Sequence, residues 1–240
     1  MKAFANLLLE ANHVVVFTGA GMSTESGLDD FRTKTSGLWE RFNPQELATV
    51  DALTHNREQF IQFYRYRLQA VFDAGPHEGH HILNEWEKNK TIQSIITQNV
   101  DGFHSLAGNR KVRELHGSFS TFYCHDCQAP YEATYFLENA QCHCGGTIRP
   151  SIVLFGEGLP QNTFQIAEKD SLQADLFIVL GSSLTVSPAN MFPSIAKENG
   201  AKLIIVNKDP TPYDHLADLL IQDDTIKHVL TSVNDQLKNE

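Results

Sequence analysis

The feature that most constrains the fold is a series of short apolar runs, most of which end in Gly, Ser, Asn, Asp or Glu. Helical patterns such as HHILNEWEKN and PANMFPSIAKEN separate some of them. Strands that are apolar on both faces and alternate with helices are typical of a parallel, doubly wound sheet. We therefore predict an α/β protein with a Rossmann-like sheet, built from the runs HVVVFTG (13–19), IQSIITQN (92–99), SIVLFGE (151–157), DLFIVLGSS (175–183) and KLIIVNKD (202–209).

The first run leads into Gly19-Ala20-Gly21, a turn in which backbone amides can approach a phosphate. A tight strand-to-helix turn that binds nothing is the alternative. Thr24 occupies the position of the third glycine in the usual dinucleotide motif, and no strand with an acidic end follows about twenty residues later. The turn is therefore not an ordinary dehydrogenase motif.

Polar side chains follow other runs as well, and ligands of doubly wound sheets bind beyond the carboxyl ends of the strands. Gln98, Asn99 and Asp101 follow the second run, where they suit recognition of a ribose and a carboxamide. A polar loop with turn chemistry is the alternative. His116 stands before a glycine beside the cysteine region. The remaining strand-end candidates, whose serines could equally cap a helix, are Gly181, Ser182, Ser183 and Asn207.

All four cysteines lie in one short region, in two close pairs separated by fourteen residues. In a chain with no export signal, this grouping favours a metal over disulfides. Four thiolates saturate a tetrahedral zinc ion, so the predicted site is structural. Free cysteines or a redox pair are the alternatives. The predicted ligands are Cys124, Cys127, Cys142 and Cys144.

Two stretches interrupt the alternation of strands and helices, and we interpret them as insertions that form a smaller second lobe. A cleft between the two lobes is then the expected place for the site. The predicted division is a Rossmann-like lobe of residues 1–33, 77–118 and 150–240, a helical module of residues 34–76, and a zinc-ribbon module of residues 119–149.

The charge balance excludes some partners. Nineteen Lys and Arg against 29 Asp and Glu give a net charge of -10, which argues against nucleic acid or an anionic membrane. No run approaches the ~20 apolar residues of a membrane span. The opening MKAFANLLLE resembles a signal peptide only until Glu10, Asn12 and His13 interrupt it. We predict a cytoplasmic monomer.

The helical pattern over residues 57–73 places an arginine on an apolar stripe. At about 100° per residue, Phe60, Tyr64, Arg67 and Val71 share one face. One interpretation is that Arg67 extends along the apolar surface to the domain edge. The other is that its guanidinium, beside the Tyr64 hydroxyl, binds a carboxylate. The pattern alone does not separate the two.

Several motifs, taken in order, closely resemble the sirtuins, which are NAD-dependent protein-lysine deacylases. The resemblance runs from about residue 8 to residue 230. Asp29 departs from the family pattern and puts an extra negative charge beside the NAD loop. The resemblance is carried by Gly19-Ala20-Gly21-x-Ser23-x-Glu25-Ser26-Gly27, Asp30-Phe31-Arg32, Thr97-Gln98-Asn99-x-Asp101, His116-Gly117, the paired cysteines, RPSIVLFGE and GSSLTVSPA.

The resemblance implies that NAD is consumed as a co-substrate, giving free lysine, nicotinamide and O-acyl-ADP-ribose. It implies that Asn99 and Asp101 hold the carboxamide and that His116 is the general base on a ribose hydroxyl. A histidine near its unperturbed pKa suits that task. The implied NAD-binding residues are Gly19, Ala20, Gly21, Ser23, Phe31, Arg32, Gln98, Asn99, Asp101, Gly181, Ser182, Ser183, Asn207, Thr225 and Ile226.

The implied partners are acyl-lysine proteins or peptides, which would add as a strand along Val153, Phe155, Gly156 and Glu157. Tyr64-x-x-Arg67 resembles the acyl-pocket motif of sirtuins that accept succinyl- and malonyl-lysine, whose acyl groups end in a carboxylate. Two other functions fit an NAD pocket: mono-ADP-ribosyl transfer or NAD hydrolysis, and NAD sensing without catalysis. The peptide segment argues against the first, and intact His116 argues against the second.

Overall fold

The computed structural model describes residues 1–32 and 37–239. In these residues the strands are β1 Val14–Thr18, β2 Ser94–Thr97, β3 Val112–Glu114, β4 Gly117–Cys124, β5 Pro130–Tyr131, β6 Ile148–Ile152, β7 Leu176–Leu180, β8 Lys202–Val206 and β9 Leu219–Ile221. The α-helices are α1 Lys2–Glu10, α2 Leu38–Arg41, α3 Pro44–Leu47, α4 Val50–His55, α5 Arg57–Asp73, α6 Glu78–Lys88, α7 Phe103–Leu106, α8 Ala133–Glu138, α9 Gln161–Gln173, α10 Phe192–Glu198 and α11 Ile226–Lys238. Short 3₁₀ helices span Ala20–Ser26, Ala189–Met191 and Asp214–Leu216.

The larger sheet confirms the predicted Rossmann-like fold. Its six described strands are parallel and lie in the order β3-β2-β1-β7-β8-β9. Every residue of β1, β2 and β7 is buried, as expected for strands covered on both faces. The chain runs outward from β1 in one direction and from β7 in the other. The point between β1 and β7 is therefore the topological switch, where such sheets bind ligands.

Helices cover both faces of this sheet. On one face α1, α6 and α11 contribute the side chains of Phe4, Trp86 and Val233 to a single apolar cluster. On the other face α9 and α10 supply Ala167 and Phe192 to a second cluster. No helix of the described residues is long and apolar enough to cross a membrane.

The run at residues 151–157 is not a strand of the parallel sheet, so that part of the prediction is wrong. Its first two residues end β6, which pairs antiparallel with β4 in a separate sheet of order β5-β4-β6. Residues 153–157 lie outside the named strands. The apolar side chains of Ile152 and Leu154 pack in the cluster of the smaller lobe instead. An apolar run of this length does not show which core buries it.

The smaller lobe has one core shared by its helical part and its cysteine-bearing part. Phe60, Tyr64 and Leu68 of α5 pack in the same cluster as Phe122 of β4 and Phe136 of α8. The small sheet begins and ends slightly outside the predicted range 119–149. The predicted boundary at residues 33 and 34 and the terminal residue 240 lie outside the described residues. The module boundaries stay predictions.

Candidate active site

A cavity of about 520 Å³ lies at the carboxyl ends of the central strands, and both lobes line it. It brings together residues that are far apart in the chain, from the first glycine turn to the start of α11. The predicted site residues that line it are Ala20, Gly21, Ser23, Phe31, Arg32, Tyr64, Arg67, Gln98, Asn99, Asp101, His116, Val153, Phe155, Gly156, Glu157, Gly181, Ser182, Ser183, Asn207, Thr225 and Ile226. Gly19 is not part of the lining.

The glycines after β1 and β7 are required because the two turns touch each other. A Cβ added at Gly21 would lie 2.8 Å from the Cα of Gly181, and one at Gly19 would lie 2.7 Å from the oxygen of Gly181. Gly181 has a φ of +63°, and a Cβ there would lie 2.4 Å from the nitrogen of Met22. A real Cβ does not approach other atoms so closely. Gly19 therefore allows the two turns to pack against each other, and the cavity lining begins one residue later, at Ala20.

Ser23, Asn99 and Asp101 form one hydrogen-bonded group. The Ser23 hydroxyl donates to Oδ2 of Asp101 at 2.8 Å, and Nδ2 of Asn99 lies 3.2 Å from the Ser23 hydroxyl and 3.0 Å from the oxygen of Gly19. The backbone amide of Phe103 donates to Oδ1 of Asp101 at 2.9 Å. Burial raises the pKa of Asp101, while these hydrogen bonds oppose the rise. The network fixes the Asn99 amide and the Asp101 carboxyl at the cavity wall.

The imidazole of His116 is held in one tautomer. Its Nδ1 lies 3.0 Å from the backbone oxygen of Gln98, which can only accept a hydrogen bond, so Nδ1 carries the proton. Nε2 is then the nitrogen with a free lone pair. Burial lowers the pKa of His116, the bond to Gln98 opposes this, and the nearby Arg32 charge lowers the pKa further. The expectation of an unperturbed pKa is wrong, because the site is drier than the sequence indicates.

The serines and Asn207 are partly engaged by the protein itself. Ser182 donates to Oε1 of Gln98 at 2.7 Å and so orients that amide, while Ser183 lies 2.9 Å from the hydroxyl of Thr185. Nδ2 of Asn207 donates to the backbone oxygen of Asp209 at 2.6 Å, so this bond uses the side-chain nitrogen of Asn207 and not its side-chain oxygen.

Thr225 and Ile226 lie where the cavity meets the start of α11. The Thr225 hydroxyl caps that helix by accepting a hydrogen bond from the amide of His228 at 3.3 Å, and Ile226 is buried. Both residues therefore have a structural role besides their place in the lining.

Tyr64 and Arg67 project from α5 into the same cavity. The Arg67 guanidinium lies 4.6 Å from the centre of the Phe31 ring, and within the described residues it forms no ion pair. Burial lowers the pKa of Arg67, and Asp101 and Asp29 oppose this through their charges. Burial also raises the pKa of Tyr64, so its hydroxyl keeps its proton. Among residues 1–32 and 37–239, Arg67 therefore brings a positive charge to the cavity that no carboxylate contacts as an ion pair.

Asp29 lines the same cavity, but its carboxylate is paired with a residue of the helical module. Its carboxylate forms an ion pair with Arg41, and the Tyr66 hydroxyl donates to it at 3.4 Å. Both side chains of the ion pair are about half exposed. The extra negative charge next to the loop is thus partly neutralised by the helical module.

Sequence reasoning missed several lining residues, most clearly Trp39. Its ring lies 5.0 Å from Phe31, 6.0 Å from Phe63 and 6.4 Å from Phe155, so it joins the loop, α5 and the 153–157 segment. A tryptophan just after the Asp-Phe-Arg loop was the available signal. Lys208, Asp209 and Asp224 were also missed, although each neighbours a predicted residue.

The four cysteines satisfy the geometry of a tetrahedral zinc site. All four sulfurs lie within 4.8 Å of one another, and none forms a disulfide. Cys124 and Cys144 are 3.6 Å apart, and Cys127 and Cys142 are 3.5 Å apart. Zn–S bonds of about 2.3 Å at tetrahedral angles require about 3.8 Å between sulfurs. The Tyr131 hydroxyl donates to the sulfur of Cys142 at 3.1 Å, a typical outer contact of a metal ligand.

A Rossmann-like sheet, a cavity at its switch point and a cysteine cluster in a second lobe define a nucleotide-binding α/β protein with a structural metal site. Comparison with known proteins narrows this class. A model described as the Sir2 family matches residues 19–188. The NAD-dependent protein deacetylase of Oceanobacillus iheyensis is 56% identical over 230 residues, covering 95% of this chain and 98% of that protein. NAD-dependent protein deacetylase 1 of Geobacillus kaustophilus is 54% identical, with 96% of each chain covered.

Solved structures agree. A Sir2–p53 peptide–NAD⁺ complex has a TM-score of 0.91 and 36% identity, covering 100% of this chain and 99% of that one. A substituted Sir2 with deacetylated p53 peptide and 3′-O-acetyl-ADP-ribose has a TM-score of 0.93 and 37% identity, covering 98% of each chain. The chain belongs to the Sir2 family.

Proposed function

We propose that the protein is an NAD-dependent protein-lysine deacylase that yields free lysine, nicotinamide and O-acyl-ADP-ribose. The observation that carries the proposal is the free Nε2 of His116 in one cavity with the Ser23–Asn99–Asp101 network. Relatives named NAD-dependent protein deacetylase, at more than half identity, support the same activity.

NAD, when bound, supplies a glycosidic bond whose cleavage releases nicotinamide and leaves ADP-ribose as the acyl acceptor. Asn99 and Asp101 would hold the carboxamide, Phe31 would shield the ribose, and Nε2 of His116 would accept the proton of a ribose hydroxyl. Its Nδ1–H, which donates to Gln98, keeps the ring oriented and stabilises the positive charge that the ring then carries.

Zinc, when bound by the four cysteines, would cross-link the turn after β4 to the loop before β6. Four thiolates leave no open coordination position, so the ion has no part in the reaction. Its effect on the site is indirect, because the same lobe core holds α5 with Tyr64 and Arg67.

We propose further that the acyl pocket accepts succinyl- and malonyl-lysine as well as acetyl-lysine. The support is the Arg67 guanidinium, which lies in the cavity on the same helix as the buried Tyr64 and over the Phe31 ring at 4.6 Å. A terminal acyl carboxylate would give it a charge-assisted hydrogen-bonding partner.

One assay tests the proposal against its alternatives. Nicotinamide release is measured without peptide, with acetyl-lysine peptide and with succinyl-lysine peptide. Release that depends on an acylated peptide supports the deacylase. Release without peptide would favour NAD hydrolysis or ADP-ribosyl transfer, and no release would favour an NAD-sensing module. The cytoplasmic location, the monomeric state and the individual residue roles stay predictions.

A further inference from the structure

An ion pair between a buried arginine, Arg149, and a partly exposed glutamate, Glu157, lies at the edge of the cavity, and no chemical step of the proposed reaction uses it. Arg149 of β6 is fully buried, and its guanidinium meets the Glu157 carboxylate in a two-pronged contact, with Nη1–Oε1 at 2.6 Å and Nη2–Oε2 at 2.9 Å. Nη2 also donates to the backbone oxygen of Ile152 at 2.7 Å. The amide of Leu154 donates to Oε2 of Glu157 at 2.8 Å. We call these four residues and their bonds the Arg149–Glu157 clamp.

The clamp encloses the segment 153–156, and this segment is tied to the rest of the site by its backbone. The amide of Val153 donates to the oxygen of His116 at 2.8 Å. Phe155 donates to the oxygen of Ala48 at 2.9 Å and accepts from the amide of Val50 at 3.4 Å. The segment therefore connects the strand that begins after His116 with the helical module.

Stability alone is a poor reason for such a clamp. Moving the Arg149 charge out of water is costly, and the Glu157 carboxylate stays 28% exposed, where an ion pair contributes little to stability. A two-pronged guanidinium–carboxylate contact instead fixes direction, because two parallel hydrogen bonds allow only one relative orientation. Here that orientation sets the bend between Ile152 and Glu157, where Gly156 has a φ of +95°.

We propose that Arg149 and Glu157 are positioning residues that preset residues 153–156 to receive the main chain of the acyl-lysine peptide. This inference rests on the proposed function. Glu157 serves the peptide through Arg149 and Leu154, since its carboxylate is already bonded to both. When the backbone of residues 153–156 is already ordered, less conformational entropy is lost as the peptide strand binds.

The test compares Glu157→Gln with Asp170→Asn. Asp170 forms the matched ion pair with Arg113 at 3.0 Å, between α9 and β3 and outside the cavity lining. The variants are assayed for the KM of acyl-lysine peptide, the KM of NAD, and the Kd of a fluorescent acyl-lysine peptide. We expect Glu157→Gln to raise the peptide KM and Kd at least tenfold with the KM of NAD within twofold, and Asp170→Asn to change none of them.

Amide hydrogen exchange over residues 153–157 gives a readout that needs no activity. Faster exchange in Glu157→Gln, with no change in Asp170→Asn, supports the clamp. Unchanged exchange, unchanged peptide affinity, or parallel losses for peptide and NAD would overturn the inference. If Glu157→Gln does not fold, Arg149→Met/Glu157→Met replaces it, since this pair leaves no unpaired charge. A wild-type protein that binds no acyl-lysine peptide refutes the proposed function, whereas faster exchange in the variant still supports the clamp.

Discussion

Replacing Arg67 by methionine tests the proposed acyl specificity, because it removes the positive charge that we propose binds a terminal acyl carboxylate. Arg67 lies on α5 over the Phe31 ring at 4.6 Å and forms no ion pair with the described residues. Methionine keeps the unbranched apolar stem, so the packing of α5 changes little.

The magnitude follows from the contact that the substrate would make. A hydrogen bond to a charged group contributes about 1.5–3 kcal/mol. The lost stacking on Phe31 affects both substrates, so it cancels in their ratio. A loss of about 1.5–3 kcal/mol from desuccinylation alone corresponds to a fall of about 13- to 160-fold in the ratio of desuccinylation to deacetylation.

The assay is kcat/KM for succinyl- and acetyl-lysine versions of one peptide, measured by nicotinamide release. Arg65→Met is the control, because Arg65 lies on the same helix but donates from Nε to the oxygen of Phe136 at 3.0 Å. A ratio that stays within threefold of wild type in Arg67→Met would refute the assignment, and so would an equal fall in Arg65→Met.

Three further outcomes are expected. Burial lowers the pKa of His116, so kcat/KM for peptide should rise with pH through a midpoint below the ordinary histidine value of about 6.5. A midpoint above that value contradicts the argument. His116→Tyr should be inactive. We expect elemental analysis to find zinc in the wild type and none in Cys127→Ser, and we expect the variant to unfold at lower temperature, because the cysteine sheet shares its core with α5. Retained zinc and an unchanged melting temperature in the variant would speak against a four-cysteine site. Asp29→Asn should leave thermal stability unchanged, because the ion pair of Asp29 is half exposed. It should raise the desuccinylation-to-deacetylation ratio, because a negative charge near Arg67 is lost. A lower ratio would show that Asp29 acts through Arg41 instead.

The parts of the fold that could be predicted depend on local sequence. β1 and β7 are buried on both faces, are almost wholly apolar and are each followed by a glycine, which is the local pattern of central parallel strands. The run at 151–157 has the same local composition, yet it belongs to another core. β3 and β9 have only three residues each and lie at the sheet edges, where burial is partial and the pattern weak.

The residues of the site also fall into those that local sequence predicts and those that it does not. Asn99, Asp101 and Ser182 could be predicted because the carboxyl ends of the central parallel strands lie at one edge of the sheet. The low pKa of His116, the stacking of Trp39 and the bond between Arg149 and Glu157 depend on which distant segments pack around them. Such pairings have no signature in either segment alone, so the structure was needed to find them.

Because Gly21 and Gly181 are in contact, the turns that follow β1 and β7 can move only together. Backbone meets backbone there, with no side chain between them that could change shape and absorb a shift. A methyl group on either turn would move both, and with them the Ser182 hydroxyl that orients Gln98. Sequence change in one turn is therefore constrained by the other, although 159 residues lie between Gly21 and Gly181 in the chain.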